Sequence, residues 1–338
     1  MVQILDSILL SHGSGGVESQ NLITELFYPL LEGCVIGGGE DAGITDSKSG
    51  KFAVSTDGYV VSPLFFAGGD IGKLSVCGSC NDVAMMGAKA RYLSASFMLE
   101  EGFLIADLKC IVESFAKILK QSEAKLISAD TKVLPKGTLD KIFITTTAIG
   151  EFLHPHLNLS AFRIPQDCAI IVSGNIGTHG AVIYSNREGI NLHSDLQSDC
   201  ALLYPILEPL FASNLTLYAL RDATRGGIAS VLNEWANASN IGIIVEAEKL
   251  PILPQVRGIC ELLGFEAYNL ANEGMCVLSV AKDDAERALE ILHQNGAANA
   301  TQIGYTTAEN PKKVILQTAF GAKRFLDYPS GELLPRIC

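Results

Sequence analysis

No block of basic residues offsets the acidity of this chain: Lys and Arg total 25 against 37 Asp and Glu, a formal net charge of −12. A protein that neutralised many phosphates by direct Lys/Arg contact would carry the opposite balance, so nucleic-acid binding is disfavoured. Charged residues are scarce altogether, at 18% against 48% hydrophobic, which leaves little for a solvated tail and ample material for packed cores. A membrane-length apolar run is also missing. The uncharged stretch from Cys168 to Asn186 carries Asn175, Thr178, His179 and three glycines, and reads as strand, loop and helix rather than a span. The first residues have no positive segment and no small-residue cleavage site behind a long apolar stretch, so no secretory signal is expected. The nine cysteines are odd in number and scattered without a repeating spacing. That fits reduced thiols better than a disulfide framework, and a cytoplasmic location is expected.

What is present is enough chain for about two domains. Phe52–Thr56 reads as a short strand ending at Asp57, Ile71–Met86 as a helix, and Arg91–Leu99 as a strand. Leu108, Ile111, Val112, Phe115, Ile118 and Leu119 mark an amphipathic helix with Asp107 as its expected N-cap. Strands over Lys125–Ala129 and Lys141–Ile149 complete an α/β domain assigned to 1–150. The Pro-containing stretch 151–166, with His154 and His156, is the expected boundary. A second mixed domain follows to 328, with helices near 201–211, 227–238 and 283–293 and strands at 169–172, 241–245 and 276–280. The remainder, 329–338, reads as an extended tail.

Familiar nucleotide motifs fail. Ala67-Gly-Gly-Asp-Ile-Gly72-Lys73-Leu74 lacks both the leading glycine and the metal-binding hydroxyl of a P-loop, and Gly174, Gly177 and Gly180 have the wrong spacing for a dinucleotide fingerprint. Carboxylates carry more. They follow strands or sit beside small residues at Asp41, Asp57, Asp82, Asp130 and Asp222; Asp82 stands out by lying within a helix among apolar neighbours. Converging, such groups form a hard oxygen cage suited to Mg²⁺, whereas singly each is a turn residue or cap. Two unit charges about 5 Å apart repel by roughly 3 kcal/mol at an effective dielectric near 20, so polyphosphate enters an acidic site only with a divalent ion between.

Several segments together resemble one family. They are His12-Gly-Ser-Gly-Gly16, Ser62-Pro-Leu-Phe-Phe-Ala-Gly-Gly-Asp-Ile-Gly-Lys73, Leu99-Glu-Glu-Gly102 and Asp130-Thr-Lys-Val133. Further along come Arg221-Asp-Ala-Thr-Arg-Gly-Gly227, Val256-Arg-Gly-Ile-Cys-Glu-Leu-Leu-Gly264 and Leu334-Pro-Arg-Ile-Cys338. Their order is similar to that of the HypE hydrogenase maturation factors, in the superfamily of aminoimidazole ribonucleotide synthetase and selenophosphate synthetase. The resemblance implies a PurM-like fold: an α/β N-terminal domain whose sheet pairs across a homodimer, an α+β C-terminal domain, and ATP in the cleft. It further implies that Cys338 receives a carbamoyl group from the carbamoyltransferase HypF. ATP-dependent dehydration would then give a thiocyanate, whose cyanide passes to iron on a HypC–HypD scaffold.

By that resemblance Asp41, Asp57, Asp82, Asp130 and Asp222 are the expected Mg²⁺ and triphosphate residues, with Thr131, Lys73 and Asn81 as further phosphate or metal-shell contacts. Lys132 would stabilise negative charge on the amide oxygen, and Glu273 would be the base. Extended, the tail spans at most about 30 Å, enough to cross a domain cleft; Arg336 would partly offset nearby negative charge. The first glycine segment is either a phosphate flap or a mobile terminus. Cys77-Gly-Ser-Cys80 reads as core packing. Ala129, Met275 and Thr178 depart from the family pattern, which has Gly, Lys and an acid there. Two rivals stay open: another ATP-dependent synthetase of the superfamily, and a non-catalytic thiol carrier.

Overall fold

Strict alternation builds the first sheet: Ile142-Phe-Ile-Thr-Thr-Thr-Ala-Ile buries every second side chain, the signature of a strand with one covered face. The computed structural model describes residues 15–22, 24, 43–47, 50–189, 195–330 and 337–338. The helices among them are α1 (Val17–Leu22), α2 (Ile71–Met85), α3 (Ile105–Ser122), α4 (Thr178–Arg187), α5 (Tyr204–Phe211), α6 (Gly227–Ser239), α7 (Pro254–Leu263) and α8 (Ala285–Gln294). The strands of the first half are β1 (Gly43–Ser47), β2 (Gly50–Tyr59), β3 (Phe65–Phe66), β4 (Gly69–Asp70), β5 (Lys89–Glu100), β6 (Lys125–Leu134) and β7 (Ile142–Glu151). Those of the second are β8 (Cys168–Val172), β9 (Leu217–Asp222), β10 (Gly242–Glu246), β11 (Cys276–Ala281), β12 (Thr301–Thr307), β13 (Val314–Gln317) and β14 (Lys323–Phe325).

Two sheets result. The first has order β1-β2-β7-β5-β6, antiparallel except for β5–β6; the second has order β14-β13-β10-β12-β8-β11-β9, antiparallel except for β10–β13. Helix α2 lies between them. It packs on β2 and β7 and also reaches β9 and α5. Such a position demands burial on all sides, and the helix has no polar face: Cys77, Gly78, Ser79 and Cys80 are all buried. Asp70 starts it by accepting the N–H groups of Gly72 (2.7 Å) and Lys73 (3.0 Å).

Residues 195–203 cross from one half to the other and are laced to α2. Asn81 spends its amide there, donating to Ala201 O (2.9 Å) and accepting from Leu203 N–H (2.8 Å), while Ser198 N–H donates to Ala67 O (2.8 Å).

The structure departs from the sequence reading at the start of α3, at α7 and in the extents of β2 and β6. Asp107 does not cap α3, which begins two residues earlier behind Leu104 and has no side-chain cap. Helix α7 was not anticipated. Strands β2 and β6 run past the acidic residues expected to end them, so Asp57 and Asp130 lie within strands. The Cys77–Cys80 pair is buried and free, as core packing requires.

Candidate functional site

Cys338 lies in a cavity of about 50 Å³ between the two halves, lined with Asp57, Gly58, Tyr59, Gly78, Asp82, Asp222, Thr224, Arg225 and Glu273. Each comes from a different local device. Asp57 and Tyr59 are on the covered face of β2, two residues apart. Asp82 faces them from α2, held by the Ser55 hydroxyl. Asp222 ends β9 and Glu273 precedes β11, the neighbouring strand. Tyr59 fits because residue 78 is glycine; a Cβ there would stand 2.2 Å from the phenol oxygen. That oxygen donates to Asp57 (3.2 Å) and lies 3.3 Å from Ser79 Oγ.

Arg225 is aimed into the cavity by a turn that only glycine permits. Gly226 and Gly227 follow it at φ 79° and 58°, and a Cβ on Gly227 would meet Tyr268 O at 2.5 Å. Gly15 packs against this turn, with its carbonyl accepting from Ser230 Oγ (2.8 Å), so the described part of the glycine segment sits at the cavity rim.

The electrostatics are those of crowded acids. Burial pushes the Asp222 carboxyl up to about 6. Glu273 is 3% exposed with no hydrogen-bond partner on Oε1 among the described residues; burial first, then Cys200, Asp222, Asp199 and Asp57, holds its carboxyl well above the usual range. Burial also pushes the Cys338 thiol up to about 12, against the pull of the Arg225 guanidinium. Around Glu273 the backbone is fixed: Asp199 accepts the N–H groups of Glu273 (3.2 Å) and Gly274 (3.1 Å). A Cβ on Gly274 would come within 1.7 Å of Asp199 O.

Of the residues expected from sequence, Asp57, Asp82, Asp222, Glu273 and Cys338 meet here. Asp130 and Lys132 do not. Strand pairing runs Asp57–Thr146–Ala95–Ala129 in one row, so Asp130, with Ser96 and Thr145, belongs to the next row and the opposite face. Both are exposed on the outer strand β6 and form an ion pair with each other. Thr131 shares the Tyr59 row, but three strand spacings, about 14 Å, separate them. Lys73 donates from Nζ to Gly68 O (2.9 Å) and lines a separate groove with Lys117. Asn81 ties its amide to the 201–203 backbone and does not line this cavity. Asp41, Arg336 and His12–Ser14 lie outside the described residues. Met275 is buried in the second core, and Thr178 opens α4 with its hydroxyl buried.

Arg225, Tyr59 and Asp199 were missed in the sequence reading. Arg225 had a signal, as the second cation of a turn ending in two glycines behind a strand carboxylate. Asp199 had none.

The donors at this cavity are hard oxygens, the set that suits Mg²⁺. Among the described residues no group of three or more His, Cys, Asp or Glu is arranged to hold an ion. Asp57, Asp82 and Asp222 fit the metal by ligand chemistry and by sharing one cavity, without forming a preset three-carboxylate cage. No helix among the described residues is long and apolar enough to cross a membrane.

Family models for the AIR synthase related protein match in two parts, the N-terminal domain over residues 39–152 and the C-terminal domain over 166–317. The carbamoyl dehydratase HypE of Escherichia coli (strain K12) is 42% identical over 340 residues, covering 99% of this chain and 100% of that protein. Among solved structures, HypE in the HypE–HypF complex superposes with a TM-score of 0.86 at 40% identity, covering 91% of this chain and 99% of that one. HypE in complex with ATP gives 0.82 at 40% identity, covering 98% and 100%.

Proposed function

The chain belongs to the HypE family of carbamoyl dehydratases, with the PurM-like two-domain fold, and from that premise we propose that it converts a carbamoyl group on the Cys338 thiol to a thiocyanate at the expense of ATP. The observation that carries this reading is the thiol's position: Cys338 stands in one cavity with three aspartates, an arginine and a buried glutamate. The space left beside it suits a group of a few heavy atoms.

Dehydrating R–S–C(O)NH₂ means expelling oxygen. Transfer of the ATP γ-phosphoryl to the amide oxygen makes it a phosphate leaving group; loss of both N–H protons and the C–O bond leaves R–S–C≡N, ADP and phosphate. Asp57, Asp82 and Asp222 would hold Mg²⁺, which when bound supplies charge neutralisation for the triphosphate. Arg225 stabilises the negative charge that builds up on the oxygen. Glu273, with its raised pKa, is a stronger base than an ordinary carboxylate once ionised, and takes an N–H proton.

Nine of the ten β6 residues are exposed, Ile127 and Val133 among them, on an outer strand. We place a second copy of the chain against this sheet, which would bring Asp130, Thr131 and Lys132 to the site from the partner rather than from the same chain. HypF is the proposed donor of the carbamoyl group, a HypC–HypD scaffold the proposed acceptor of cyanide, and the cytoplasm the proposed location, consistent with eight described cysteines that are all free.

Mass spectrometry of the C-terminal peptide tests the reaction. The carbamoylated thiol is expected to gain about 43 Da and then lose about 18 Da when Mg-ATP is added. Persistence of the heavier species would mean a thiol carrier, and full activity in Cys338→Ser would mean another synthetase of the superfamily.

A further inference from the structure

His179 has both ring nitrogens occupied and is wholly buried, yet it does not line the cavity that holds Cys338. It is set in the first turn of α4 by a crowded start. Gly177, at φ 76°, donates its N–H to Asn272 Oδ1 (2.7 Å), and a Cβ on Gly180 would stand 2.9 Å from Leu270 Cβ. The ring lies edge-on to Phe66 of β3, with centroids 5.3 Å apart. From there Nε2 reaches Ile337 O (2.8 Å) and Nδ1 reaches Ser198 Oγ (2.7 Å).

A carbonyl only accepts, so Nε2 carries the proton and Nδ1 accepts from the Ser198 hydroxyl. Ser198 Oγ in turn accepts from Cys200 N–H (3.1 Å), which leaves its own hydrogen for the ring. The result is a one-way chain of donors, Cys200 N–H to Ser198 to His179 to the residue preceding the thiol. The same stretch of backbone holds the proposed base, since Asp199 accepts the N–H groups of Glu273 and Gly274. On the other side of the tail, Val60 N–H donates to Cys338 O (2.9 Å), and the Ile337 side chain is 3% exposed in the first core.

We propose that His179 is a positioning residue for Cys338: its ring, held as the Nε2–H tautomer by Ser198, clamps the backbone at Ile337 and thereby sets where the thiol stands relative to Glu273. This rests on Cys338 being the group-bearing thiol, but the clamp has its own readout.

Iodoacetamide labelling of Cys338 in the full chain, followed on the C-terminal peptide, measures how often the tail undocks. His179→Leu removes the donor and is expected to label roughly tenfold faster than wild type, the weight of one lost buried hydrogen bond. His179→Gln keeps an N–H at the same reach and is expected to label near the wild-type rate; Ser198→Ala frees the tautomer and is expected to fall between. An unchanged rate in His179→Leu at wild-type melting temperature overturns the clamp, as does His179→Gln labelling as fast as the leucine variant. Should the leucine variant not fold, Ser198→Ala decides, and wild-type labelling there overturns the proposal. In single-turnover dehydration at saturating Mg-ATP, His179→Leu is expected to be slower with ATP affinity unchanged; weakened ATP affinity at a wild-type rate would also overturn it. Failure of wild type itself to dehydrate removes the proposed function while the labelling order still tests the clamp.

Discussion

Asp199 shows how much of this site depends on a residue that does no chemistry. Its carboxyl organises two backbone N–H groups, those of Glu273 and Gly274, and burial nonetheless raises it from an ordinary 3.8 to about 6. Below about pH 4 the group is protonated both folded and unfolded. Between about 4 and 6 the unfolded chain releases the proton that the native chain keeps, so this residue makes stability fall as pH rises through that window and then level off. Asp222 and Glu273 are displaced in the same direction and add to the fall. In metal-free protein the urea midpoint should therefore drop between pH 4 and pH 7, and drop by less in Asp199→Asn. Equal drops in the two proteins would remove Asp199 from the account. His179 and Asp199 were illegible in the sequence for the same reason: their roles are exercised on backbone atoms of distant segments, and no side-chain motif records that.

Helix α2 carries Asp82 toward the cavity and Asn81 toward the crossing segment, so its start matters to both. Asp70 is the residue that stops its first turn from fraying, and Asp70→Ala is expected to cost about 1 kcal/mol of stability, most of it recovered in Asp70→Ser. Urea denaturation checks this; a loss within error of zero would mean that tertiary packing alone fixes the helix start. This element was legible nearly to the residue, because Ile71, Leu74, Cys77 and the Val83, Ala84 and Met86 cluster recur at helical spacing. Others were not. Asp57-Gly58 and Asp130-Thr131-Lys132 look like the polar ends of short strands, yet β2 and β6 run on through them. Once an acid lies within a strand, period two decides its face, and pairing across β7 and β5 then sends Asp57 and Asp130 to opposite sides. Helix α7 starts on Pro254, whose missing N–H costs nothing in the first turn of a helix.

The cavity is assembled from strands β2 and β9, helix α2, the loop before β11 and the end of the chain. Separations of that size are closed by the fold, and sequence spacing does not foretell them. Motif order nevertheless marked the family, since it needs no geometry. The residue left stranded by the single chain is Lys132, exposed on β6 on the face opposite Asp57. If it serves the site, it must do so in a neighbouring molecule, since a side chain cannot cross its own sheet. Two inactive variants then become informative. Lys132→Ala supplies an intact Cys338 and Cys338→Ala an intact Lys132, so co-refolding them in equal amounts gives mixed dimers with one complete site each. About a quarter of wild-type dehydration is expected from random pairing. Silence in the mixture, with mixed dimers confirmed by mass, would assign Lys132 to its own chain or to no part of the reaction.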